Sequence, residues 1–134
     1  MIVTARLHFS AAHRLHNDAF DDEWNRRVFD KCDNPAGHGH NYVIEVSVRG
    51  QIDPDTGMVI DLKRLKAIVR EAIIDRVDHK SLNHDVDFLE GVNPTAENLA
   101  VKFWERLEGA VAPSELDQII LRETESNSVT YRGE

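Results

Sequence analysis

The stretch Lys31-Cys32-Asp33-Asn34-Pro35-Ala36-Gly37-His38-Gly39-His40-Asn41-Tyr42 holds the only cysteine of the chain and two of its seven histidines. Histidines at i and i+2 point to the same side of a strand. Neutral imidazole is the usual ligand of a borderline metal such as zinc. A thiol becomes a useful base or nucleophile once cationic neighbours lower its pKa. A loop with one thiol thus feeds a strand carrying two metal-type ligands, and His13 offers a third from an adjoining strand. The three could be ligands of an open, catalytic zinc site, or each a core or surface histidine with an ordinary hydrogen bond.

Other groups carry weaker signals. Cys32 could serve as a base near the metal, or as a fourth ligand closing a structural site. Asp78-His79 could be an orienting carboxylate and a relay imidazole. The same pair also fits a helix end whose dipole favours a cationic histidine. Glu97 reads as a first-turn helix acid, and Glu123 as an exposed cross-strand partner. His8, His16 and His84 show no ligand spacing and are expected at the surface.

These groups must be positioned by regular elements. Val3, Ala5, Leu7 and Phe9 alternate with Thr4, Arg6, His8 and Ser10, the period of a half-buried strand, and His13 continues the apolar parity. Tyr42, Ile44, Val46 and Val48 form a second alternating set, and His38 and His40 share its buried parity. Between these strands, residues 14–37 form a long polar connection with room for one short helix. Asp21 or Asp22 would cap that helix, and Trp24 and Val28 would mark its packed face.

Gly50 and the turn Asp53-Pro54-Asp55-Thr56-Gly57 end the second strand. Asp61 can cap a helix in which Leu62, Leu65, Ile68, Val69, Ala72, Ile73 and Val77 recur at helical spacing. A second helix starts near Asn93-Pro94-Thr95, with the proline expected in its first turn and Leu99, Ala100, Phe103, Trp104 and Leu107 as its stripe. Strands over 118–124 and 128–132 follow. The order strand, strand, helix, helix, strand, strand predicts an α+β domain with two helices on one face of an antiparallel sheet. Its unpaired edges favour an oligomer.

At 134 residues the chain is read as one domain, 1–134, with a core of ordinary size. A net charge of −8 argues against a nucleic-acid partner held by phosphate neutralisation. No run approaches membrane-spanning length, the first residues lack a signal-peptide layout, and a single cysteine fits a reducing, cytoplasmic setting. Gly-rich phosphate loops of the Walker or dinucleotide type are absent.

Taken in order, the pieces Phe9-Ser10-Ala11-Ala12-His13-Arg14-Leu15, Cys32 to Tyr42, Ile52 to Val59, Asp78-His79-Lys80-Ser81-Leu82-Asn83, Pro94-Thr95-Ala96-Glu97-Asn98, and Arg122-Glu123-Thr124 with Tyr131 resemble one family over nearly the whole chain. It is the family of 6-pyruvoyl-tetrahydropterin synthases and their 6-carboxytetrahydropterin synthase relatives. The resemblance implies the tunnelling fold, a ββααββ unit that forms trimeric barrels and stacks into a hexamer, a dimer of trimers. It implies His13, His38 and His40 as zinc ligands, and Cys32, Asp78, His79 and Glu123 as the catalytic set. Thr95 and Glu97 match the segment that holds the pterin, and some of these residues should face a neighbouring chain.

The implied substrate is 7,8-dihydroneopterin triphosphate. The implied reaction is a zinc-dependent lyase step that eliminates triphosphate to give 6-pyruvoyl-tetrahydropterin, with Cys32 taking a carbon-bound proton. The five residues between Cys32 and His38 resemble the spacing of the pyruvoyl-type enzymes. The alternatives are a 6-carboxytetrahydropterin synthase of the queuosine pathway, which also releases acetaldehyde, and a non-catalytic zinc-binding assembly. Lys80, Arg14 and Lys31 are candidates for gripping the triphosphate.

Overall fold

The computed structural model describes residues 1–134. In chain order its elements are β1 (Ile2–His13), α1 (Asp22–Phe29), β2 (His38–Arg49), α2 (Leu62–Val69), β3 (Lys80–Ser81), α3 (Ala96–Leu107), β4 (Glu115–Arg122) and β5 (Ser128–Tyr131). Strands β1 and β2 pair antiparallel along their whole length, from Ile2 opposite Arg49 to His13 opposite His38. Ala5, Leu7, Phe9, Ala11 and His13 of β1 are buried on the side covered by α2 and α3, as are Tyr42, Ile44, Val46 and Val48 of β2.

The expected all-antiparallel, four-stranded sheet needs correcting at one edge. The sheet has five strands in the order β3-β1-β2-β4-β5, and β3 lies parallel to β1 beside Ala11 and Ala12. Two residues are too few to show any alternation, so the sequence pattern carries no mark of this strand. The short helix expected in the β1–β2 connection is α1, capped by Asp21, whose carboxylate accepts from the Trp24 N–H at 2.8 Å. Its inward residue is Asn25, fully buried, rather than the expected Trp24 and Val28. The Asn25 amide donates to the carbonyls of Asn17 and Asp21 and its oxygen accepts from the Asn17 N–H, so this helix is seated by polar bonds.

Asp61 caps α2 as expected. The helix continues through a π-helical segment, Arg70–Ile74, and one last turn, Asp75–Val77. The spacing explains the π segment. Leu65, Val69, Ile73 and Val77 are all fully buried at four-residue intervals. On a regular helix of 3.6 residues per turn, that spacing would swing the stripe around by about 120° over three steps. The wider π turn absorbs the drift and keeps all four on the sheet. The Arg106 side chain of α3 donates to the Ala72 carbonyl inside this segment, tying the two helices together.

Thr95, not Pro94, stands at the start of α3. Thr95 is the N-cap, its hydroxyl accepting from the Asn98 N–H, and Pro94 lies one residue outside the helix. The aromatic centre of the core is Phe9 stacked on Tyr42, with ring centroids 4.7 Å apart, and Phe103 of α3 set edge-on to Phe9. Directly above this stack, the same strand faces carry the three histidines.

Candidate metal centre and substrate cavity

The register of β1 and β2 assembles the histidines. His13 sits opposite His38, and Ala11 opposite His40, where the small alanine leaves room for an imidazole. One nitrogen from each of His13, His38 and His40 lies within 4.8 Å of the other two. The Nε2 atoms of His13 and His38 are 3.0 Å apart. Cys32 is not a member of this cluster.

The electrostatics suit a cation. Burial lowers the His13 pKa below its usual value, and only part of that shift is offset by its bond to the Pro94 carbonyl. Burial lowers His40 in the same way, against the raising effect of Glu123. Both rings are therefore neutral near pH 7, with lone pairs free to ligate. His40 Nε2 and His38 Nδ1 are buried without any hydrogen-bond partner. Each unmet polar atom costs about 1–3 kcal/mol when buried. Three converging imidazoles with two unpartnered nitrogens among them fit a metal ion, and a set of three protein ligands leaves a position open.

Supporting contacts orient the first ligand. His13 Nδ1 lies 2.8 Å from the Pro94 carbonyl, which fixes that nitrogen as the protonated one. The buried Tyr42 hydroxyl stands 3.3 Å from the same Nδ1, and burial raises its own pKa. Glu123, the residue after β4, approaches from the open side. Its carboxylate is 4.0 Å from His13 Nε2 and 3.7 Å from His40 Nε2.

Glu123 also lines a cavity of about 410 Å³ together with Leu15, Thr95, Glu97 and Asn127. The fold thus brings Glu123 to the start of α3, where Thr95 and Glu97 stand, although the two stretches are distant in sequence. Asp78 and His79 are brought together elsewhere, at the β1–β3 edge. Asp78 accepts from the Ser10 N–H at 2.9 Å and stands 3.0 Å from His79 Nδ1. The Ser10 bond, and after it His79, hold the Asp78 carboxyl below the usual carboxylate range. The His79 side chain is 81% exposed and its backbone is left-handed, at φ 60°. It shares a second cavity, about 440 Å³, with Ser10, His40, Asn41 and Lys80.

The family model described as 6-pyruvoyl tetrahydropterin synthase matches residues 2–134. The chain belongs to this family. It is 48% identical over 132 residues to the 6-pyruvoyl tetrahydrobiopterin synthase of Poecilia reticulata, covering 98% of this chain and 90% of that protein. Identity to the Homo sapiens protein of the same name is 46%, covering 98% of this chain and 91% of the other. The structure of the Caenorhabditis elegans 6-pyruvoyl tetrahydropterin synthase superimposes with a TM-score of 0.89 at 42% identity, over 100% of this chain and 97% of that one. A protein of Wolinella succinogenes shares the fold, with a TM-score of 0.75 at 18% identity. No helix is long and apolar enough to cross a membrane.

Within this family frame, Cys32 occupies a 3-10 turn, Asp30–Asp33, as a half-buried free thiol. Its carbonyl accepts from the N–H of Leu15, which lines the Glu123 cavity. No hydrogen bond within the chain joins Cys32 to Asp78 or His79. Arg14, one candidate for gripping triphosphate, pairs with Asp33 at 3.0 Å. His16, expected at the surface, is mostly covered and bonds the buried Asp33 carboxylate. Isolated polar residues in a loop have no periodicity, so only the three-dimensional packing shows that Asp33 and His16 are inside.

Proposed function

We propose that this protein binds zinc through His13, His38 and His40 and converts 7,8-dihydroneopterin triphosphate to 6-pyruvoyl-tetrahydropterin with elimination of triphosphate. The observation that carries the reading is the cluster of three imidazoles beside a cavity lined by Glu123, Glu97 and Thr95. Relatives at 46–48% identity that bear the synthase name support the same reaction. A zinc ion bound there supplies Lewis-acid polarisation of the substrate's side-chain hydroxyls.

The chain's own residues do the rest. Glu97 and Glu123 accept from the adjacent N–H donors on the pterin edge, a charge-assisted pairing that fixes the ring. Thr95 closes the same wall of the cavity. Cys32 takes the carbon-bound proton, its backbone being tied to the cavity wall through Leu15. His79, oriented by Asp78, passes protons onward. On this proposal the Asp78–His79 pair serves the site of a neighbouring copy, which the exposure of the His79 side chain at the β3 edge supports. In this reading the single domain 1–134 assembles edge to edge into trimeric barrels that stack as a hexamer. The closed, four-ligand zinc assembly has less support, because Cys32 stands outside the imidazole cluster.

The test is incubation of the zinc-loaded protein with 7,8-dihydroneopterin triphosphate, followed by mass spectrometry of the products. 6-Pyruvoyl-tetrahydropterin and triphosphate are expected. A 6-carboxy product accompanied by acetaldehyde would transfer the chain to the carboxy-type reaction, and no conversion would leave the assembly reading.

A further inference from the structure

The turn that carries Cys32 has almost no apolar anchor. From Asp30 to Ala36 every residue is exposed except the half-buried Cys32 and the buried Asp33. Asp33 is 5% exposed, and a carboxylate in that position is costly unless it is paired and hydrogen-bonded. It is paired on both sides. Its Oδ1 forms an ion pair with Arg14 Nη2 at 3.0 Å and accepts from His16 Nδ1 at 2.5 Å. Arg14 Nε also donates to the Asp33 carbonyl at 2.9 Å, and the Leu15 N–H donates to the Cys32 carbonyl at 2.8 Å. Three hydrogen bonds and one ion pair from three consecutive residues thus seize two consecutive residues of the turn.

The segment that does the holding is itself fixed. Asn83 exchanges two 2.8 Å bonds with the Arg14 backbone, its oxygen taking the N–H and its amide giving to the carbonyl. Asn93 accepts from the His16 N–H at 3.2 Å. Arg14 follows directly on the ligand His13, whose Nδ1 is held by Pro94. The metal ligand, the thiol turn and the stretch after Asp78-His79 therefore meet at Arg14–His16.

We infer that Asp33, clamped between Arg14 and His16, is the positioning residue that sets where the Cys32 thiol stands relative to the three imidazoles. The inference rests on the proposed role of Cys32 as the base. The clamp does not touch substrate. It acts on kcat, because a thiol displaced by about 1 Å loses its line to the proton at a cost near 10²-fold.

Three proteins loaded with zinc separate this role from simple stability: the unsubstituted chain, Asp33→Ala and Asp33→Asn. For Asp33→Ala, kcat on 7,8-dihydroneopterin triphosphate falls by about 10²-fold, KM stays within about threefold, and zinc per chain is unchanged. The rate of Cys32 carbamidomethylation by iodoacetamide, measured without substrate, rises several-fold as the turn loosens. Asp33→Asn reverses most of both changes, because its amide oxygen can accept the His16 bond and lie against the Arg14 guanidinium as Oδ1 does. If Asp33→Ala does not fold, His16→Ala takes its place with the same readouts and a smaller fall in kcat. Unchanged kcat and alkylation rate in the alanine variant would overturn the clamp. So would a loss confined to KM or zinc content, or an asparagine variant no better than alanine. Failure of the unsubstituted chain to turn over the substrate defeats the functional reading instead, and the alkylation comparison still judges the clamp.

Discussion

His13 Nδ1 gives its proton to the Pro94 carbonyl across 2.8 Å, binding the last residue of β1 to the residue that precedes the cap of α3. That bond leaves the Nε2 lone pair of His13 facing His38 Nε2 and the Glu123 carboxylate. Two lone pairs aimed at one point repel unless a cation or a proton lies between them. Zinc should therefore stabilise the folded chain, and its removal by a chelator should lower Tm. At free zinc 100 times Kd the gain is about 2.7 kcal/mol. Calorimetric scans with and without zinc measure it, and a Tm indifferent to zinc would rule out the site.

Each imidazole is expected to be needed for that gain. His40 Nε2 has no other hydrogen-bond partner in the fold, so His40→Ala removes a ligand without orphaning a second group. Zinc per chain after dialysis, read by atomic emission, should drop from near one to near zero in His13→Ala, His38→Ala and His40→Ala alike. A fully loaded His40→Ala protein would show that the ion sits elsewhere.

Cys32→Ala should behave in the opposite way. The thiol stands outside the cluster of ligands on its own 3-10 turn. Turnover should fall by at least about 10²–10⁴-fold, the range of a lost general base, while zinc content and oligomeric state hold. Loss of zinc in this variant would place the sulfur in the coordination sphere and sink the assignment of Cys32 as base.

Asp78 is bonded to the Ser10 N–H and faces His79, both at an exposed edge. Asp78→Asn keeps the shape but removes the charge that orients the imidazole. Turnover should fall by about 10²–10⁴-fold with zinc retained, as for other groups that orient a relay histidine. Mixing two variants, as the proposed assembly allows, gives a sharper check. Combining an inactive Cys32→Ala chain with an inactive Asp78→Asn chain should restore part of the activity if the pair serves a neighbour's thiol. Activity no greater than that of the separate variants would mean that each site draws both residues from one chain.

How much of this is legible in the residues alone follows from periodicity. His13, His38 and His40 share the parity of Phe9 and Tyr42, so alternation by itself puts all three imidazoles on the covered face. The stripe from Leu65 to Val77 is equally readable, although the π segment that its four-residue intervals require shows only in the folded helix. Asp33, His16 and Asn25 are illegible for one reason: each is a polar residue buried by specific hydrogen bonds, in a segment without a period. β3 is hidden because its pairing is decided by Asp78 and His79 docking on Ser10, contacts distant in sequence. Pro94 lies just before the cap rather than at its expected place in the first turn of α3, and that position lets its carbonyl reach His13.

The two histidines lowered by burial set the last expectation, which concerns pH. His13 and His40 both titrate below 6.5 in the folded chain, whereas the unfolded chain keeps the ordinary value near 6.5. Between the folded and unfolded values the unfolded chain binds more protons, so stability rises with pH in that window. The contribution is fully present above pH 6.5 and is lost as pH falls below it. Metal-free protein should therefore melt at a lower temperature at pH 5.5 than at pH 7.5. The comparison must be made against His40→Gln, which lacks one of the two groups and should show a shallower slope, since other residues titrate alongside. Zinc-loaded protein should show a steeper fall than either, because protons compete directly with the ion for the same lone pairs. A metal-free chain whose Tm is flat over this range, or no steeper than that of His40→Gln, would mean the imidazoles are not held neutral by the core.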